Sequence, residues 1–189
     1  PLIMGKDNGN TTNSWLNMAK VLELSLNDGV STISGKKFGK GREEFGYHTD
    51  QEVLENIREI FYNNLQEYTN EMVKCANAAS EAISILQVPF LSTLMGGIET
   101  GVDVRDTKEQ GTKYNGSGCL IHGLSVVADS FIAVDTLLRE RPQDAGRMLE
   151  ALRTNFENDP EMHQYLMKAK KYGNNIGIVD DEAADIASR

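Results

Sequence analysis

From Thr49 onward the chain carries one long apolar stripe, and this stripe limits the possible folds more than any other feature. Val53, Ile57, Ile60, Leu65, Met72, Cys75, Ala76, Ala79, Ile83 and Leu86 recur at helical spacing. Thr49 and Glu52 stand three residues apart just before the stripe, as in a capping box, where hydroxyl and carboxylate each take a free backbone N–H. The pattern predicts helix to about Gln87, either as one rod or as two with a kink. A single rod would be on the order of 55 Å long. A helix of that length in a chain of 189 residues suits a larger host structure better than a small self-contained domain. Ala76, Ala78, Ala79 and Ser80 imply close packing along its second half, with Cys75 in the core.

Around this element the pattern is mostly helical. Residues 1–12 read as a Gly/Asn/Thr loop. Trp15, Met18, Leu22 and Leu26 predict a helix over 13–27, stopped by Asp28 and Gly29, with Trp15 as a core residue on spacing alone. Residues 30–48 read as an exposed, basic, Gly-containing loop. Pro89 ends the long helix, and residues 88–95 read as a short buried strand or turn. A polar loop covers 103–118. Further helices are expected over 123–139, from Pro142 to about Asn155, from the Asp159 cap and Pro160 to about Tyr172, and from about Asp180.

Composition excludes some functions. The net charge of −9 argues against a nucleic-acid backbone as partner. No run approaches the roughly 20 apolar residues that span a bilayer, and no signal segment opens the chain. Cys75 and Cys119 form no disulfide framework and no metal-ligand spacing, so a reducing, cytoplasmic setting is expected. The chain begins at Pro1 and stops at Arg189, which reads as an internal segment of a longer protein.

Residue chemistry alone assigns no activity. His48, His122 and His163 are scattered and lack a nucleophile beside them, so they read as surface or satisfied histidines. The run from Gly35 to Arg42 lacks the Gly-Lys-Ser/Thr ending of a phosphate loop. Glu99, Asp103 and Asp106 are close enough in sequence to hold a cation or exchange a proton, but they read as a solvated acidic loop. Cys119 sits in a Gly-rich turn and reads as a small buried thiol. No metal site is expected.

A series of runs resembles the large domain of glycyl radical enzymes, the pyruvate formate-lyase-like family. They are PLIMGK at 1–6, KVLELSLNDG at 20–29, VPFLS at 88–92, GTKYN at 111–115, VADS at 127–130, LEALRTNFE at 149–157 and KYGN at 171–174. Their order and spacing are similar to the family's over nearly the whole chain. The resemblance implies an α/β fold, mostly helical in this stretch, forming part of a ten-stranded α/β barrel. Residues 1–189 would be one internal segment between the Gly-Cys-x-Glu active-site loop and the radical-bearing glycine loop.

What the family implies for function is radical elimination or bond cleavage (C–O, C–N, C–S or C–C) on a small organic substrate without oxygen. A glycine radical is installed by an activating enzyme that uses an iron–sulfur cluster and S-adenosylmethionine. The protein is expected to be a homodimer in its full-length form and to bind no separate cofactor. The alternatives are a noncatalytic helical interaction module and part of a formate acetyltransferase-type enzyme. Neither Cys75 nor Cys119 has the Gly-Cys-x-Glu context, so no catalytic residue is expected within the chain, and the piece alone is expected to be inactive and aggregation-prone. Pocket-lining residues implied by the resemblance are Thr11, Thr12 and Trp15. Glycerol-dehydratase-like members carry Trp-His-Asp at the positions of Asn10, Thr11 and Thr12. Thr12 cannot act as that aspartate, which argues against a plain glycerol or propanediol dehydratase. Choline-lyase-like members share a Thr near Thr11 and an aromatic residue near Trp15.

Overall fold

Asn17 divides the first structured stretch into strand and helix. In the computed structural model, which describes residues 11–109 and 117–189 with side chains over 14–109 and 119–189, strand β1 covers Thr11–Asn17 and helix α1 covers Met18–Leu26. The Asn17 side chain caps α1 by accepting the Lys20 N–H at 3.2 Å. The spacing that suggested a helix from residue 13 therefore crosses a junction. Trp15 lies on the strand at 67% exposure and is not a core helix residue. The runs at 1–6 and 111–115 lie outside the described residues.

The remaining elements are α2 (Arg42–Phe45), α3 (Asp50–Glu55), α4 (Ile57–Ser84), α5 (Pro89–Ser92), α6 (Ile98–Thr100), β2 (Ser117–His122), α7 (Leu124–Glu140), α8 (Ala145–Arg153), α9 (Pro160–Met167) and α10 (Gly177–Ser188). The chain is mostly helical, as its patterning indicates. The long stripe is two helices. Asn56 leaves helical geometry at φ −110° and ψ 18° and ends α3. Its side-chain amide donates to the Glu52 carbonyl at 2.9 Å, and its own carbonyl accepts the Ile60 N–H. The capping box before α3 forms as expected: Thr49 Oγ1 accepts the Glu52 N–H, and the Glu52 carboxylate accepts the Thr49 and His48 N–H groups. Residues 88–95 are not a strand, and of them only Ser92 is buried. Pro89 starts α5, and the turn after it leaves helical geometry at Met95 and Gly96.

The described residues form two compact units. The first holds the described parts of Pro1–Leu16 and Tyr68–Ile121. Its loop is stapled by Asp103, whose carboxylate accepts the Val88 N–H (2.8 Å), the Ser92 hydroxyl (2.9 Å) and the Arg105 N–H (2.9 Å). Burial works against the Asp103 charge, yet these donors hold its carboxyl below the usual range. Arg105 also donates to the Leu86 carbonyl at 2.7 Å. Along this stretch Ile85, Leu86, Phe90, Leu94 and Ile98 are all exposed. Cys75, expected in the core, is exposed as well.

The second unit, Asn17–Glu67 with His122–Arg189, contains the main apolar core. Val127, Phe131, Val134 and Leu137 line the buried face of α7, which packs against α1, α3 and α10. Phe61 of α4 meets Phe131 edge-on at 5.4 Å. Each such side chain contributes roughly 1.5–3 kcal/mol by leaving water. Arg58 spans three helices above this core. Its guanidinium donates to both Asp135 oxygens (2.9 and 2.7 Å) and both Glu182 oxygens (3.0 and 2.9 Å), and it lies 4.7 Å over the Phe131 ring. Burial works against its charge, but the two carboxylates outweigh that and push its pKa up.

The exposed loop between α1 and α3 is pinned at its base. Asn64, fully buried on α4, accepts the Lys40 N–H at 2.8 Å and donates to the Lys40 carbonyl and the Ser25 hydroxyl. Gly29 (φ +77°) runs so close to Gly39 that a Cβ would sit 1.9 Å from the Gly39 carbonyl oxygen. Three of the loop's four basic residues are spent on internal pairs: Lys37 with Glu44, Lys40 with Glu67, Arg42 with Asp28 and Asp50.

Candidate functional site

β1 and β2 pair as neighbours in a two-stranded sheet, although 105 residues separate Ser14 from Cys119. Within the first unit the Ser14 hydroxyl donates to Cys119 Sγ at 3.2 Å, which sets these two positions side by side across the strands. Cys119 is therefore a strand residue with an exposed thiol, in place of the buried thiol in a turn that its sequence context suggests. Alternation along β1 puts Leu16 inside at 9% exposure and leaves Trp15 outside at 67%.

On β2 the consecutive residues Leu120 and Ile121 are 42% and 48% exposed. Consecutive strand residues point to opposite faces, so neither face of this pair is fully covered by the described residues. Two strands alone are marginal in water. The pair has the character of a piece of a larger sheet, with the Trp15 indole exposed on one strand and a thiol–hydroxyl contact joining the two. Of the three residues singled out from sequence, Thr11, Thr12 and Trp15 all fall on β1. Trp15 presents its ring outward. The side chains of Thr11 and Thr12 lie outside the described residues.

Four of the other candidates take structural roles. Asp103 staples its loop, and Asp106 accepts the Lys108 and Glu109 N–H groups. His163 stacks on Phe156 at 4.8 Å, and the His48 N–H caps α3 through Glu52. Among the described residues no three His, Cys, Asp or Glu side chains gather as a metal set. No single described helix is long and apolar enough to cross a membrane; α4 with residues 89–100 meets that test only as a pair bent by 96°.

In the second unit a cleft of about 630 Å³ opens between α1, α7 and α8, with Leu22, Leu26, Val126, Leu152 and Phe156 among its walls. Its charged groups are already engaged. Glu23 takes Lys20 at 2.6 Å and the Thr32 hydroxyl at 2.7 Å, and Arg153 donates to Asn27 at 3.0 Å. Burial works against the Glu23 charge, but these bonds hold its carboxyl below the usual range.

The family model described as pyruvate formate lyase-like matches residues 1–189. The (2S)-3-sulfopropanediol dehydratase of Klebsiella oxytoca is 26% identical over 184 residues, covering 95% of this chain and 22% of the relative. The trans-4-hydroxy-L-proline dehydratase of Clostridioides difficile is 30% identical over 176 residues, covering 90% of this chain and 21% of the relative. Among solved structures, the glycerol-bound B12-independent glycerol dehydratase of Clostridium butyricum superposes with a TM-score of 0.78 at 24% identity, over 97% of this chain and 23% of that one. That likeness is one of fold. The chain spans about a fifth of the length of these proteins.

Proposed function

This chain belongs to the pyruvate formate lyase-like family, and from that premise we propose that the whole protein is a glycyl radical lyase that cleaves a C–O, C–N, C–S or C–C bond of a small organic substrate under anaerobic conditions. The observation that carries the reading is the family match over the full chain, joined by relatives that are dehydratases of two different small molecules. Residues 1–189 hold no Gly-Cys-x-Glu run. In this reading the reacting thiol and the radical glycine come from other parts of the protein, and the radical is installed by an iron–sulfur, S-adenosylmethionine-dependent activating enzyme. The whole protein acts as a homodimer.

What this chain supplies is wall. In this reading the β1 positions Thr11, Thr12 and Trp15 belong to the substrate-pocket wall, as the family resemblance implies. A threonine at position 12 offers a hydroxyl, which donates or accepts a hydrogen bond but does not titrate near neutral pH. The substrate is accordingly one whose leaving group needs no carboxylate at this position. The exposed Trp15 indole favours an apolar or cationic portion of the substrate.

The test is electron paramagnetic resonance of the full-length protein after anaerobic activation. A doublet from a glycine-centred radical is expected, followed by turnover within a panel of small amines, diols, sulfonates and arylacetates. Absence of a radical in a folded protein treated with a competent activating enzyme would overturn the enzyme reading and leave an interaction module in its place.

A further inference from the structure

We draw no further inference here: the strongest candidate, the exposed apolar face that α5 and the turns on either side of it present in the first unit, carries nothing because nothing in the structure shows what covers it.

Discussion

Gly29 and Gly35 both have positive φ, at +77° and +67°, yet they differ in surroundings. A Cβ at Gly29 would strike the Gly39 backbone, whereas nothing lies within 4 Å of one at Gly35. Gly35→Ala should therefore cost only the left-handed backbone penalty, about 1–2 kcal/mol. Gly29→Ala should cost clearly more, roughly 3 kcal/mol or above, because the crossing itself must open. Urea unfolding of the two variants separates these outcomes. Glu44 reports on the same loop. Lys37 first, then the Gly41 N–H, hold its carboxyl down at about 2 from an ordinary value of 4.5. A depressed carboxyl contributes stability that is present above its unfolded value and lost as pH falls through the folded one. Loop anchoring by Glu44 should thus weaken between about pH 4.5 and 2, and Glu44→Gln should remove that acid dependence from the exchange rate of the Gly41 amide. The glycines stand out in the sequence; which of them is crowded does not, because the crowding partner lies ten residues away and is set by Asn64 on another helix.

At the scale of elements, the helices with strong local signals were legible. The Thr49–Glu52 capping box and the Asp159 cap before Pro160 depend on residues three apart, and both form as read. The repeat of Val127, Phe131 and Val134 likewise marks the buried face of α7. The strands were not legible. β1 holds one alternating pair beside a polar stretch, and its partner lies about a hundred residues on, so no local pattern announces the pairing. Trp15 and Met18 fall three apart across a strand–helix junction and imitate a helical face. Arg58 tests how far a polar clamp holds α4, α7 and α10. Arg58→Met keeps volume over Phe131 but strands two carboxylates. The expected cost is about 1–2 kcal/mol, below that of breaking a fully buried pair, because Asp135 remains nearly half exposed. Adding Asp135→Asn and Glu182→Gln should recover part of the loss in the urea midpoint.

For the whole molecule, the uncovered residues matter most. The expectation of an aggregation-prone piece has a physical counterpart in Phe90, Leu94 and Ile98, exposed at 81%, 61% and 77%. The 189-residue chain should bind the dye ANS when folded, and Phe90→Asp with Leu94→Asp should lower both that binding and light scattering by several-fold. Unchanged values would locate the sticky surface elsewhere. The proposed pocket positions Thr11, Thr12 and Trp15 rest on family likeness alone, since one short strand leaves no periodic mark of its own. The Ser14–Cys119 contact also has a temporal side. Before it can form, over a hundred residues must be synthesised and brought back, a closure whose entropy grows with the intervening length. Nearby helices condense sooner than such distant strands pair, so β1 should wait, unprotected, while α7 to α10 assemble. Pulse-labelling during refolding should therefore find amides of α7 shielded first and those of β1 and β2 last, which makes this strand pair the slow step in the refolding of these residues.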